Sequence, residues 1–473
     1  MTALALIVYG LLLAATAAAV LRRPIVALYA FVLGLPLHNI VMSLLYGGGI
    51  RGRALDAIQA WKEILLAVAL AAVAATAFRT RRLPFRPIVV DLLALAYGTI
   101  VVLYAVIPQG ALDGHAGARA IAYGLRHDLV LVAAYFLGRS LAPDARRVRW
   151  LVAGAAAAVA AWGLIEVYAV PIEWWRHSGA VGYFHRELGY DYHGPGGLPE
   201  NFAFNTSDGL FRRLVSTFVS PLAAAYMFVV ALLLLATVRR LRLPVVALGA
   251  LCAAGLLWTF SRSSVVALGV GLVVLAAARR RAWPVGVAVA AIAAGFGFAA
   301  IFHSIAPRAH WFASDLPYQE AQAKAKGPLP HGSGLSGTVS LGEPSIRSHL
   351  DSLRDGMRTV VHHPQGFGLG NAGTTAQRFD VELEAGESNY TEIGAETGLA
   401  GALLFIAWSL ALLGSLLRTA WHGDRTAAGV AAALAAVLAL AIQTDAIGVP
   451  WLAYALWWLA GAFVLPRRET DQT

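Results

Sequence analysis

Charge is the scarcest property of this chain. Asp, Glu, Lys and Arg make up 14% of its 473 residues while 58% are hydrophobic, whereas soluble domains carry roughly a quarter charged residues. A soluble fold of this length cannot be surfaced with so little polarity, and a mean hydropathy of +0.65 says that the excess apolar material faces lipid. Cysteine is scarcer still. The single Cys252 lies inside an apolar run, which excludes an intrachain disulfide and leaves redox chemistry without a pair. No G-x-x-x-x-G-K-S/T occurs, so nucleotide hydrolysis has no support. The Cys/His spacing of a metal site is missing too, and His362-His363 alone does not make one. Neither a metal nor another cofactor is expected. Internal repeats, heptads and extended low-complexity tracts are absent, and the Ala-rich stretches read as lipid-phase helix. No basic segment precedes the apolar residues 1–21, and no small-residue cleavage site leads from them into a soluble domain. They read as a retained span rather than a cleaved signal.

What the chain does have is long apolar runs. A crossing needs about 20 apolar residues. Such runs lie near 2–21, 25–46, 61–78, 88–107, 121–138, 150–170, 218–238, 243–260, 263–278, 283–303, 398–417, 426–446 and 449–466. The expected fold class is an all-α integral membrane protein with 12–13 transmembrane helices and a large, partly helical extracytoplasmic loop. A net charge of +10 would suit a nucleic acid, but the basic residues sit in short clusters between apolar runs. These are Arg22-Arg23, Arg79 through Arg86, Arg139 with Arg146, Arg147 and Arg149, Arg239 through Arg242, Arg279 through Arg281, Arg418 with Arg425, and Arg467-Arg468. They occupy every second loop, which places the N-terminus outside and the C-terminus in the cytoplasm. Arg51 and Arg53 are the exception, lying in a loop assigned to the outside. Three parts follow: a bundle over 1–303 with an outer loop at 171–217, a large extracytoplasmic loop over 304–397, and C-terminal spans with a short cytoplasmic tail over 398–473. Long loops of this kind carry function.

Three constellations carry candidate chemistry. The first is TFSRSS at 259–264, which pins Arg262 at the outer mouth of the bundle, where a cation is costly unless it pairs or faces a watery cavity. The second is RSHLDSLRDGMRTVVHHPQGFGLGN at 347–371. Its Leu350, Leu353, Met357, Val360 and Val361 recur at helical spacing, with Arg347, Arg354 and Arg358 near one face. A cationic face there suits a pyrophosphate, which guanidinium grips in a fork. Gly366, Gly368 and Gly370 resemble a phosphate loop but read as a Gly-rich turn. The third is ESNYTEIGAETGLAG at 387–401. Asn389 and Glu392 have capping-box spacing, so a helix is expected to start there, with Glu387 just ahead of its N-terminus, where the dipole favours a carboxylate. Glu387 is thus a candidate general base, while Glu392 and Glu396 read as helix-surface groups.

These segments resemble the O-antigen ligase and O-antigen polymerase superfamily of bacterial membrane glycosyltransferases, over most of the chain. The most telling motif is a loop-end signature of His followed by Asn, Ser or Gln, nine residues, then G-x-x-G/T/Y. Here Glu387 and Ser388 are followed by nine residues and then Gly398, Leu399, Ala400 and Gly401, with Glu standing for His. RLVSTFVSP (213–221), FSRSS and HLDSLRDG…HPQGFGLGN look like further family segments. The resemblance implies a metal-independent, inverting transfer outside the bacterial cytoplasmic (inner) membrane, for biosynthesis of a cell-envelope polysaccharide. The donor would be an undecaprenyl-diphosphate-linked glycan, and the acceptor a hydroxyl of a saccharide or glycolipid. It implies Glu387 as the base, and Arg262 with Arg354 or Arg347 on the pyrophosphate. His349, Arg213, Trp174 and Trp175 are further candidates for substrate binding, the tryptophans as stacking surfaces for sugar rings. The Glu-for-His departure points to a polymerase rather than a lipid A–core ligase, the alternative. A rival of another class is a transporter or lipid-linked glycan flippase, for which Glu166, Asp128 and Asp445 in or beside spans would mark a path.

Overall fold

The computed structural model describes residues 2–206, 209–240, 242–326, 344–382 and 387–464. Its apolar helices are α1 (Thr2–Arg22), α2 (Val26–Gly47), α3 (Trp61–Thr80), α4 (Val89–Val106), α5 (Ala118–Ser140), α6 (Ala145–Ala169), α7 (Pro221–Leu235), α8 (Leu243–Trp258), α9 (Arg262–Arg279) and α10 (Trp283–Ile305). After the amphipathic α11 (Pro344–His362) come α12 (Asn389–Trp421), α13 (Arg425–Leu440) and α14 (Leu452–Ala462). Nine of these are long and apolar enough to cross a membrane, and four shorter apolar ones (α7, α8, α13, α14) complete the set. Together they match the thirteen apolar runs one for one. The chain is a multi-pass membrane protein.

Local chemistry sets several boundaries. Asp144 accepts from the Arg147 amide ahead of α6, and Asp424 from the Thr426 and Ala427 amides ahead of α13. Ser220 caps α7, with Pro221 at the first helical position, where a missing N–H costs nothing. Position follows burial. Over their most apolar windows α1 is 6% buried and α9 56%, so α1 is peripheral. The helices α7 and α13 are buried nearly all round, as expected of helices without a polar face.

The two kinds of loop gather at opposite ends. At one end Arg139 donates to the carbonyls of Arg86 and Val464, Arg149 to Thr237 Oγ1, and Trp421 to the Ala277 carbonyl. The loops that carry Arg86, Arg139 and Arg149 and those next to Thr237, Ala277 and Trp421 therefore lie at that end. At the other, Asn371 Oδ1 accepts from the His115 and Ala116 amides, and Tyr168 donates to the Ile305 carbonyl. Among the described residues the one sheet is here: β1 (Ala203–Thr206), β2 (Gly209–Arg212) and β3 (Arg308–Ala309) form an antiparallel sheet in that order. It ties loop 171–217 to the start of segment 304–397. Four apolar helices separate β2 from β3, an even number of crossings, as strands paired on one side of a membrane require. The two loops meet again where His193 stacks on Tyr318 at 3.9 Å and Asp315 accepts from the Gly196 amide.

Candidate functional site

The loop-bearing end holds two groups of charged side chains. The first is cationic. Arg262 is the first residue of α9, so a guanidinium sits on the positive end of a helix dipole, which disfavours it unless an anion is near. Arg213, from the stretch after β2, donates through Nε to the Thr259 carbonyl at 2.8 Å. Burial, then the charge of Arg262, pull its guanidinium below the usual range. The two guanidinium groups therefore lie within electrostatic reach of each other. The rings of Phe204 and Phe260 lie 5.9 and 6.0 Å from the Arg262 guanidinium.

The second group is at the head of α12. Glu387 is exposed just before the helix, and its Oε2 lies 2.6 Å from His349 Nδ1 on α11. The helix α11 lies along the first turns of α12, with Gly356 against Thr391 and Val360 against Gly394. His349 and Ser352, whose hydroxyl accepts from the Glu387 amide, belong to that side. Arg354 is exposed, and helical spacing turns it away from α12. Arg347 shares its face, but its side chain lies outside the described residues. Arg358 pairs with Asp355 at 3.4 Å.

Tyr226, one turn into α7, connects the groups. Its buried hydroxyl lies beside Thr444 and within electrostatic reach of Arg213, Asp445 and Glu387. Nothing in its apolar sequence context marks it out.

No family model matches the chain, and no curated protein matches it. The site therefore rests on its own geometry.

Beneath Glu387 lies a buried polar network. Asn389 starts α12, yet it is Ser388 that precedes the helix, and the Asn389 side chain does not cap it. The amide group of Asn389 instead donates to Asp445 at 2.7 Å and to Glu392, and accepts from the Ala446 and Ile447 N–H groups. His127 on α5 faces Asp128 through Nδ1 at 2.8 Å and Asp445 through Nε2 at 3.2 Å. One ligand atom each from His127, Glu392 and Asp445 lies within 4.8 Å of the others. However, Asp445 already takes hydrogen bonds from Asn389, Thr374 and the Gly448 amide besides its contact with His127. Those donors occupy the lone pairs that a cation would need.

Glu392 and Glu396 correct the expectation of helix-surface groups: each is 2% exposed, because α11 and the glycine loop cover the first turns of α12. The loop's amides are spent inside the protein. Gly370 N–H donates to Glu396 Oε1 at 2.7 Å and Gly368 N–H to the Glu396 carbonyl, so a carboxylate fills the place a phosphate would. Gly398 of the loop-end signature breaks α12 with φ 71, and a Cβ there would lie 2.5 Å from the Pro364 carbonyl oxygen. That position admits only glycine.

Trp175 is a core residue, fully buried with its indole N–H on Glu166 at 2.7 Å. It offers no surface to a sugar, whereas Trp174 is exposed. Tyr190 and Tyr192 stack at 5.1 Å in the same loop. Glu166 is locked by the Arg212 guanidinium, Trp175 and the Ser216 amide. Asp128 and Asp445 are engaged by His127. The acids that would mark a transport path are thus held by fixed partners.

Proposed function

We propose that the chain is a membrane glycosyltransferase that moves an undecaprenyl-diphosphate-linked saccharide onto an acceptor sugar hydroxyl, of the polymerase type. The observation that carries this reading is the Glu387–His349 pair, 2.6 Å apart at the head of α12, at the same end of the bundle as Arg213 and Arg262. The chemistry needs these two groups. The acceptor oxygen attacks the anomeric carbon, the bond from that carbon to the diphosphate breaks, and the acceptor proton passes to Glu387. Arg262 and Arg213 take up the charge developing on the departing diphosphate. His349 holds the Glu387 carboxylate in place and shares its proton. Arg213 takes the second pyrophosphate position in preference to Arg354 or Arg347, because it neighbours Arg262. Tyr190, Tyr192 and Trp174 offer ring faces to the saccharide.

The positive-inside rule supports an extracytoplasmic site in a bacterial inner membrane, since the loops that carry Arg86, Arg139 and Arg149 lie at the opposite end. Reporter fusions at Leu241 and Gly342 check it. The first is expected to report the cytoplasm and the second the outer side, and both on one side would end the topology. The reaction itself is tested by transfer in vitro from purified lipid-linked donor, which fails to appear if the assignment is wrong.

A further inference from the structure

We propose that the protein holds the phosphate headgroup of an anionic membrane lipid in a basic cavity at the loop-bearing end of α2. The cavity measures about 530 Å³ and is lined by Arg51, Arg176, Arg186, His177, His185 and Tyr46, with no carboxylate in its lining. Among the described residues none of the three arginines forms an ion pair. Two of them are nonetheless fixed. The Arg51 guanidinium lies 4.8 Å from the Tyr46 ring and that of Arg176 4.4 Å from the Phe312 ring. Stacking occupies the planar face of a guanidinium and leaves its N–H edge to a ligand. His177 Nδ1–H donates to the Glu173 carbonyl at 2.7 Å and His185 Nε2–H to the Gly197 carbonyl at 2.9 Å, so both rings are also held.

The walls cannot drift apart easily. A Cβ at Gly179 (φ 95) would lie 2.2 Å from the Ser43 carbonyl oxygen, and one at Gly182 would lie 2.2 Å from the Tyr46 ring. Loop 178–182 is therefore seated directly on α2. Guanidinium groups held around a cavity whose lining carries no carboxylate match the geometry and charge of a phosphate.

Position selects the source of that phosphate. The helix α2 ends at Gly47, so the cavity opens where the helix leaves the apolar layer. Leu33, Leu37, Val41 and Leu44, all exposed, mark the apolar surface of α2 up to that end. An amphiphile fits both the basic cavity and its place at the edge of the apolar layer, with its headgroup among the arginines and its chains in that layer. A soluble anion would use only the first. Arg51, the exception among the charge clusters, thereby acquires a function. The assignment is independent of the transferase reading, since none of these residues belongs to the Arg213, Arg262 and Glu387 group.

The test is native mass spectrometry of the full chain in mild detergent with added dioleoylphosphatidylglycerol or dioleoylphosphatidylcholine. The anionic lipid is expected to remain bound and the zwitterionic one to leave. Combining Arg51→Gln, Arg176→Gln and Arg186→Gln should weaken phosphatidylglycerol binding by about tenfold or more, while the corresponding Lys variant, which keeps the charge, should lose less. Should the Gln variant not fold, wild type and the Lys variant decide between the lipids. Equal retention of both lipids, or wild-type retention by a folded Gln variant, would overturn the proposal. So would displacement of phosphatidylglycerol by inorganic phosphate, which would make the cavity a site for free anions.

Discussion

The basic end and the loop-bearing end both close off buried charge, and the loop-bearing end adds an exposed carboxylate. At the basic end Arg139 meets Asp91 through Nε at 2.8 Å, and Tyr135 and the Arg86 carbonyl serve the remaining atoms. At the loop-bearing end Glu166 and Arg212 are locked in the same manner, but Arg213 and Arg262 lie within electrostatic reach of each other, and Glu387 stands exposed beside His349. Both ends are reached from apolar helices, so the lipid environment does not distinguish them. What does is closure. A charge whose partners are all supplied by the fold contributes to holding the helices, while an exposed one such as Glu387 is open to a ligand.

Several substitutions break or sharpen this contrast, and the largest effect is expected at the exposed carboxylate. Glu387→Gln keeps size and hydrogen bonding but loses basicity, so transfer should fall by about 10²- to 10⁴-fold with donor binding and folding intact. Near-normal transfer would remove the base role. On the closed side, Glu166→Ala or Asp91→Ala strands a buried arginine and should cost about 3–5 kcal/mol of stability. Loss of turnover without loss of thermal stability in either variant would contradict the division. Gly398→Ala forces a side chain against the Pro364 carbonyl in a left-handed conformation and should cost roughly 1–3 kcal/mol, read as a lowered melting temperature. Smaller still, Arg213→Lys or Arg262→Lys should raise the KM for donor by about tenfold, since Lys lacks the fork. Arg354→Lys should leave it near wild type, and a loss as large as that of Arg262→Lys would return the second pyrophosphate position to α11.

Much of this architecture is legible in the chain, because each span is a contiguous apolar run and each topology signal is local. Glu387 is legible for the same reason, as a carboxylate beside a helix start. The network below it is not. His127 and Asp445 meet across 318 positions, and nothing in the neighbours of either announces the other. Glu392 and Glu396 read as surface groups because helical spacing cannot say what covers the helix; the cover is α11 and a glycine loop. Trp175 failed as a sugar platform for a related reason, since its interfacial setting gives no sign of the Glu166 carboxylate that takes its N–H. Arg213 was visible as a residue, but its partnership with Arg262 depends on the stretch after β2 running beside the end of α8.

The small sheet also imposes an order on biogenesis. The pairing of β1 with β2 is local and can form as soon as loop 171–217 has been synthesised. The second edge of β2 finds β3 only after α7 through α10 have all been inserted, because Arg308–Ala309 follows them. Until then that edge is an open hydrogen-bonding template, the kind of surface on which chains associate wrongly. The brevity of β2, four residues long, limits that hazard while the chain is still being threaded.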